Sequence, residues 1–239
     1  MNKIINFKSH KKSCKVCRLA RSCLPWGLDK EALDLLDKLT QQARWIDVGS
    51  RLFCAGQPLK SLFAVRTGSI KTMVVTHDGE DRIVGFHLPG DVLGLEAFSR
   101  HVHSCTAVAL EDSIVCELPY KNLYALCQKA PALSRRFMAL MSSEIAEKHE
   151  TMLMLGKKPA ELRVAALLLN LSSRFRDRGF PAQQFRLSMS RYDIASYLGL
   201  AAETVSRLLG HINDEGIIEV NRKTIKIRDM AHLQKLAQT

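Results

Sequence analysis

The stretch that decides the fold spans residues 190–210 and reads SRYDIASYLGLAAETVSRLLG. Its pattern predicts two short helices joined by a turn. Ala195 is small where two helices must approach each other, and Gly199, four residues later, suits the positive φ of a tight turn. Val205, six residues further on, can pack back between the helices. This spacing is typical of a helix-turn-helix, whose second helix lies in the major groove of DNA. The predicted helices cover 192–198 and 201–211.

The second of these helices exposes polar side chains near its start. Glu203 and Arg207 are i,i+4 neighbours on one face, and Ser206 lies beside them. Arginine can pair with guanine, and glutamate can accept a hydrogen bond from cytosine. The alternative is a solvated ion pair between Glu203 and Arg207. The small-residue frame around them favours base reading.

A basic β-hairpin is predicted directly after the two helices. Its strands are Gly216–Val220 and Thr224–Arg228. Arg222 and Lys223 at the tip are suited to phosphate contacts, which position a protein on DNA without specifying sequence. The layout is that of a winged helix. The predicted DNA-binding residues are Ser190, Arg191, Ala202, Glu203, Ser206, Arg207, Arg222 and Lys223.

A long helix is predicted upstream, from Pro131 to about Leu155, and a hinge follows it at Gly156–Pro159. Its apolar residues recur with the spacing of a coiled-coil seam. A helix packed on its own domain is the alternative, but the length of the stripe favours a dimer seam. Lys148 falls within the seam, where two like charges would meet across the two-fold axis and make the dimer marginal. The predicted dimerisation residues are Met138, Met141, Ile145, Lys148, Met152 and Leu155.

Short β segments alternate with turn signals between about Trp45 and Leu118, before the long helix. This spacing predicts a small antiparallel barrel or roll, so the fold class is α+β. A short amphipathic helix precedes the strands, with Asp29 as its N-cap. The candidate strands are Ser61–Arg66, Ser69–Thr76, Arg82–His87, Cys105–Ala109 and Ser113–Leu118.

Charge is distributed unevenly along the 239 residues, whose formal net charge is +11. Residues 1–28 carry seven basic and no acidic side chains, residues 29–156 are nearly neutral, and residues 157–239 carry a net +6. A basic terminal domain is expected of a protein that binds phosphate backbones. The mean hydropathy of −0.06 fits a globular protein. No apolar run approaches the roughly 20 residues of a membrane span, and no secretory signal is visible, so a cytoplasmic protein is expected.

Three of the seven cysteines fall within ten residues, as Cys14-x2-Cys17-x5-Cys23. In a reducing compartment such clustering indicates metal or redox chemistry. An iron–sulfur cluster, a zinc ion and a redox-active thiol arm all fit the spacing. The neighbouring Lys15, Arg18 and Arg21 are expected to lower the thiol pKa values. A fourth ligand must come from elsewhere, and spacing does not choose among Cys54, Cys105, Cys116 and Cys127.

The chain resembles the CRP/FNR family of bacterial transcription regulators, and within it the oxygen-sensing FNR/Anr branch. The resemblance runs from about Cys14 to Ala237, across a roll, a long helix and a winged helix in that order. Enzymatic signatures such as a Rossmann glycine fingerprint, a P-loop or a nucleophile elbow are missing from the sequence. We therefore expect no enzymatic activity. The residues that carry the resemblance are the three arm cysteines and the segments 59–62, 85–88, 109–117 and 203–210.

The resemblance implies an oxygen-labile [4Fe–4S] cluster held by Cys14, Cys17, Cys23 and Cys116. It implies that the cluster favours a homodimer, which reads a palindromic site in double-stranded DNA and activates or represses anaerobic-metabolism genes with RNA polymerase as a partner. A zinc- or thiol-based redox regulator of the same fold is the alternative. Cyclic nucleotide is not expected, because Ser104–Ala107 lacks the arginine that would hold its phosphate. The expected parts are a cysteine arm (1–28), a cyclic-nucleotide-binding-like β-roll sensor domain (29–130), a dimerisation helix (131–156) and a winged helix-turn-helix domain (157–239).

The chain also departs from the family pattern at three places. The arm is unusually basic because of Arg18 and Arg21, and cations near a cluster shift its potential and reactivity. Lys148 is basic where relatives can carry an acid. Ala202 replaces a larger apolar residue, so the preference at one base pair is expected to differ.

Overall fold

The computed structural model describes residues 13–40, 43–156 and 159–238. Met1–Lys12, which supply part of the N-terminal charge, lie outside the described residues, as do two residues of the predicted hinge. The helices are α1 (Lys30–Leu39), α2 (Tyr120–Lys129), α3 (Pro131–Leu155), α4 (Ala160–Asp177), α5 (Arg191–Leu198), α6 (Ala202–Asp214) and α7 (Met230–Gln238). The strands are β1 (Ala43–Ile46), β2 (Arg51–Phe53), β3 (Ser61–Thr67), β4 (Ile70–Val75), β5 (Asp81–His87), β6 (Val92–Leu93), β7 (Thr106–Ala109), β8 (Ser113–Pro119), β9 (Gln184–Arg186), β10 (Ile218–Asn221) and β11 (Thr224–Ile227).

The N-terminal half is the antiparallel roll that the strand spacing predicts. Its two sheets have the orders β1-β8-β3-β6 and β2-β7-β4-β5. The five predicted strands correspond to β3, β4, β5, β7 and β8, whereas the short β1, β2 and β6 were not predicted. Inward-facing side chains such as Phe63, Ile70 and Val115 fill the space between the sheets. Gly68 makes the β3–β4 turn possible, because a Cβ there would lie 2.2 Å from the Ser113 hydroxyl.

Helices cover one end of the roll and lead into the C-terminal half. The Asp29 carboxylate accepts a hydrogen bond from the Ala32 amide at 2.8 Å, so it caps α1 as predicted. Leu36 of α1, Leu123 of α2 and Leu133 of α3 share one core with the roll. Pro131 opens α3, which runs for 25 residues. Among the described helices, none is long and apolar enough to cross a membrane.

The C-terminal half packs directly on the roll. Its core joins α4, α5, α6 and the three-stranded sheet β10-β11-β9, and it includes Ile83, Phe86 and Leu88 from the roll. The winged helix and its order after the roll and long helix confirm the predicted fold class. Strand β9 was not predicted, since its three residues lack a readable alternation. This packing places the predicted DNA-reading helix and the cysteine arm in one continuous structure.

Candidate metal centre and nucleic-acid interface

Four cysteines converge on one small cavity between the arm and the roll. Cys14, Cys17 and Cys23 reach it from the arm, and Cys116 reaches it from β8. The cavity measures about 30 Å³ and is otherwise walled mainly by apolar side chains such as Leu24 and Leu118. Cys54, Cys105 and Cys127 do not line it. Of the four cysteines that spacing left open, Cys116 is therefore the one that joins the arm cysteines.

The arm is held against α1 by specific polar contacts. The Asp37 carboxylate accepts a hydrogen bond from the Cys14 amide, and the Thr40 hydroxyl lies 3.1 Å from the Cys14 sulfur. Lys15 forms an ion pair with Asp34 at 2.6 Å. Two short 3₁₀ turns, Cys14–Val16 and Ala20–Ser22, bend the arm, and its three cysteines all line the same cavity.

A second anchor for the arm comes from α3 and was not predicted from the sequence. The guanidinium of Arg136 donates a hydrogen bond to the Cys23 carbonyl at 3.0 Å and another to the Arg21 carbonyl at 3.3 Å. The two partners lie more than 110 residues away in the chain. No sequence signal indicates such a contact, because backbone carbonyls of an irregular segment carry no side-chain pattern.

Burial, rather than the charge of neighbouring cations, determines the pKa values of the Cys14 and Cys23 thiols. The pKa of Cys14 is raised to about 11 and that of Cys23 to about 12, chiefly because burial disfavours the thiolate; the nearby thiols act in the same direction, while hydrogen bonds from Thr40 and from the Leu24 amide oppose the rise. The expectation that Lys15, Arg18 and Arg21 lower these pKa values is therefore wrong for Cys14 and Cys23. Lys15 is paired with Asp34, and the Arg21 guanidinium lies over the Trp26 ring at 5.5 Å. Both thiols hold their protons at neutral pH unless a metal displaces them.

The cysteines that line the cavity are not preassembled as a metal site in the described ranges 13–40, 43–156 and 159–238. No three His, Cys, Asp or Glu side chains there stand in position to share a single metal ion. Cys14, Cys17, Cys23 and Cys116 line one cavity all the same.

The helix-turn-helix has the geometry that its spacing predicts. Gly199 adopts φ 63° between α5 and α6, in the left-handed region that favours glycine. Ala195, Leu198 and Val205 are all buried between the two helices. Ser190 caps α5 in a capping box, since its hydroxyl accepts from the Asp193 amide at 3.1 Å while the Asp193 carboxylate accepts from Ser190. These contacts hold α5 and α6 in a fixed arrangement beneath the exposed face of α6.

The predicted base-reading side chains lie on the outer face of α6. Glu203, Ser206 and Arg207 are exposed, and Ala202 is partly buried at the first turn. Among the ion pairs of the described residues, none joins Glu203 to Arg207. Both side chains are thus available to a ligand. The solvated ion pair that the sequence left as an alternative does not form.

The remaining predicted DNA contacts flank this helix. Arg222 and Lys223 are exposed at the tip of the β10–β11 hairpin, and Arg222 adopts a positive φ of 54° that the turn requires. Ser190 is exposed, but its hydroxyl is engaged in the cap. Arg191 is half-buried, and desolvation lowers its pKa. The wing and α6 project from the same domain, as in a winged helix.

Three of the six positions of the seam predicted on α3 contact other parts of the same protomer, and the seam itself stays a prediction. The Lys148 ammonium donates to the Val84 carbonyl at 3.0 Å, so this side chain faces the roll of its own chain. Met141 and Leu155 also pack against cores of the same chain. In contrast, Met138, Ile145 and Met152 are 55–70% exposed. The alternating seam positions turn inward because the roll and the C-terminal half already occupy that side of the helix.

The exposed stripe on α3 has its own regular spacing. Ser142 and His149 are exposed between the three apolar residues, so the stripe reads 138, 142, 145, 149 and 152. A 4-3-4-3 spacing keeps the same helix face toward a partner. The helix therefore carries two neighbouring stripes, one facing its own domains and one facing outward.

Both halves of the chain are similar to known proteins. A family profile described as a cyclic nucleotide-binding domain matches residues 43–130, and a Crp-like helix-turn-helix domain matches residues 162–236. The chain is 46% identical over 224 residues to the transcriptional activator protein anr of Pseudomonas aeruginosa, covering 94% of this chain and 92% of that protein. It is 44% identical over 224 residues to the fumarate and nitrate reduction regulatory protein of Escherichia coli K12, covering 94% and 90%. The solved structure of FixK2 from Bradyrhizobium japonicum superposes with a TM-score of 0.76 at 32% identity, covering 82% of this chain and 96% of that one.

Proposed function

Since the chain belongs to the CRP/FNR family of transcription regulators, we propose that it is an oxygen-responsive member that carries a [4Fe–4S] cluster. Cys14, Cys17, Cys23 and Cys116 would hold this cluster, which favours a dimer bound to a palindromic DNA site. The observation that carries the proposal is the convergence of these four thiols on one cavity. The names of the relatives support genes of anaerobic or electron-transport metabolism as targets.

The residues present fit a cluster by their chemistry. Four thiolates are the usual ligand set of a [4Fe–4S] cluster, and apolar walls such as Leu24 and Leu118 limit access of water to it. When bound, the cluster would supply an oxygen-reactive inorganic centre that ties the arm to the roll. The chain's own part is to orient the sulfur atoms, which it does through α1, β8 and the Arg136 contact.

Buried thiols argue against the thiol-based alternative. A redox-active thiol reacts as its thiolate, and such cysteines are usually exposed and have a lowered pKa. The pKa values of Cys14 and Cys23 are raised instead, to about 11 and about 12. A zinc regulator of the same fold would differ in its metal content, and the test below distinguishes it from an iron–sulfur protein.

DNA recognition rests on the exposed face of α6. We assign base reading to Glu203, Ser206 and Arg207, and phosphate contacts to Arg222 and Lys223. The net +6 charge of residues 157–239 supports binding to a polyanion. The exposed stripe of Met138, Ile145 and Met152 supports a homodimer through α3, and a two-fold dimer matches a palindromic site. RNA polymerase remains the proposed protein partner on the strength of the resemblance.

A cyclic nucleotide is excluded from the proposal, even though the roll matches a cyclic nucleotide-binding domain. The carboxylate of Asp91, in the turn before β6, is already paired with Arg174 and Arg178. Residues 104–107 offer no arginine to a phosphate. The cytoplasmic location and the lack of enzymatic activity remain predictions from the sequence.

Anaerobic purification tests the proposal. The protein should contain iron and acid-labile sulfide in equal amounts, with visible absorption that bleaches in air. DNA binding should fall together with that absorption. A colourless protein that contains zinc, or DNA binding that is indifferent to air, would show that the proposal is wrong.

A further inference from the structure

Four parts of the molecule meet at a cavity of about 240 Å³ on the side of the roll. The arm contributes Ser22, the roll contributes Asp91, α3 contributes Arg136, and α4 contributes Arg174 together with Arg178, the residue that caps its C-terminus. The residue after Ser22 is Cys23, which lines the thiol cavity. The junction therefore lies next to the proposed cluster site, yet it includes the first helix of the DNA-binding half.

Asp91 fastens that helix to the roll. One carboxylate oxygen accepts from the Leu88 amide at 2.8 Å and from Arg174 at 2.5 Å, and the other accepts from Arg178. The side chains of Asp91, Arg174 and Arg178 are each less than 20% exposed. Charge-assisted hydrogen bonds between mostly buried partners are strong, and breaking one leaves an uncompensated charge.

The two arginines also hold the backbone around Asp91. Arg174 donates to the Phe86 carbonyl at 2.7 Å, and Arg178 donates to the Pro89 carbonyl at 2.7 Å. Arg174 of α4 and its C-cap residue Arg178 thus hold the turn 86–91 at Phe86, Pro89 and Asp91. A displacement of this turn must either move α4 or break these contacts.

The arm is in close contact with the same turn, at Gly90. Gly90 adopts φ 101°, and a Cβ there would lie 3.0 Å from the Ser22 Cβ and 3.7 Å from the Arg178 Nε. The arm, the turn and α4 therefore touch at one point with no room for a side chain. Close-packed contacts of this kind transmit displacement, because neither neighbour has space to absorb it.

We propose that the turn 86–91, through Asp91, couples the cysteine arm to the DNA-binding half of the same protomer. This inference rests on the proposed cluster. When the ligand set holds Cys23 in place, Ser22 supports the turn, and Asp91 keeps α4 fixed. When the arm is released, the turn loses that support and α4 loosens together with α5 and α6. The route runs within one protomer, so it operates in addition to any change in dimerisation.

Hydrogen exchange measured by mass spectrometry tests the coupling on the full chain, with and without its cluster under anaerobic conditions. In the wild type, cluster loading should slow exchange in residues 20–24, 86–91 and 172–178, the last by about fivefold or more, as expected for coupled sites. In Asp91→Asn, residues 20–24 should still respond while 172–178 no longer do. Lys71→Met is the matched control, because it removes a cross-domain ion pair of 2.6 Å, to Asp193, that does not touch the arm. It should respond as the wild type does.

If Asp91→Asn does not fold, the triple variant Asp91→Leu, Arg174→Met, Arg178→Met replaces it, since it removes every ion pair of Asp91 without leaving one of the three charges buried and unpaired. The coupling is refuted if 172–178 still respond in a folded variant that lacks the Asp91 ion pairs, or if the wild-type arm responds while 172–178 do not. A wild type without iron, or with an arm that does not respond to loading, refutes the proposed cluster and the coupling together. The two failures therefore give different results.

Discussion

The Lys148 ammonium donates a hydrogen bond to the Val84 carbonyl, 3.0 Å away, and this contact ties the middle of α3 to β5. Because the side chain points to the roll, its charge does not lie on the exposed stripe of α3. We therefore expect the dimer interface on the exposed stripe of Met138, Ile145 and Met152. This relationship changes which substitution should control dimerisation.

Ile145→Glu should convert the protein to a monomer with or without a cluster. Placing two carboxylates opposite each other across a two-fold seam replaces apolar contact with repulsion between like charges. Sedimentation velocity on anaerobic protein measures the result. Lys148→Gln is the control and should leave the dimer fraction unchanged. A dimer fraction that rises in Lys148→Gln would show that Lys148 lies in the dimer seam, as the sequence predicts.

Cys116→Ala should abolish the cluster, whereas Cys105→Ala should retain it. Cys116 lines the thiol cavity, and Cys105 is buried in the separate core between the sheets. Loss of one of four thiolates leaves an iron site open to solvent and oxygen. Iron and sulfide analysis with anaerobic absorption spectra measures retention. The opposite pattern for the two variants would show that the fourth ligand is misassigned.

Arg207→Ala should cost about 1–3 kcal/mol in operator binding and relax the preference at one base pair. Lys223→Ala should weaken binding to all sequences alike and reduce the salt slope by about one. Titrations of both variants against operator mutants at several salt concentrations distinguish the roles. A uniform loss across operators for Arg207→Ala would contradict base reading.

His87 should make the cluster-free protein less stable in acid. Burial lowers its pKa to about 3, while its ring nitrogen lies 3.1 Å from the Thr72 hydroxyl. In the unfolded chain the pKa of this histidine is about 6.5. Between about pH 6.5 and 3, the unfolded chain therefore binds a proton at His87 that the folded protein does not bind. The free energy of unfolding is therefore unaffected by His87 protonation above about pH 6.5. As the pH falls toward 3, it decreases by up to about 1.4 kcal/mol per pH unit.

Urea unfolding at a series of pH values measures this dependence. His87→Gln keeps a polar group near Thr72 but cannot be protonated in this range, so its stability should fall less steeply between about pH 6 and 4. An unchanged slope would show that His87 does not set the acid limb.

Much of the fold was predictable because local patterns carry it. The spacing of Ala195, Gly199 and Val205 determined the helix-turn-helix, since neighbours within one or two turns decide whether two helices can cross. Asp29 marked the start of α1, and Pro131 marked the start of α3, because caps act on the backbone next to them. The exposed reading face of α6 followed from its period alone.

Tertiary structure alone decided which distant groups meet. Cys116 reaches the arm because β8 pairs with both β1 and β3, a pairing across more than 50 residues that spacing in the arm cannot reveal. The rotation of α3 depends on the Val84 carbonyl, since two adjacent stripes of one helix fit the seam spacing almost equally well. The thiol pKa values are set by burial among side chains that are remote in sequence, and this effect outweighs that of the basic residues next to the cysteines. Asp91 meets Arg174 and Arg178 only where the two halves pack together. Each of these contacts depends on chain topology, whereas periodicity records only what lies close along the chain.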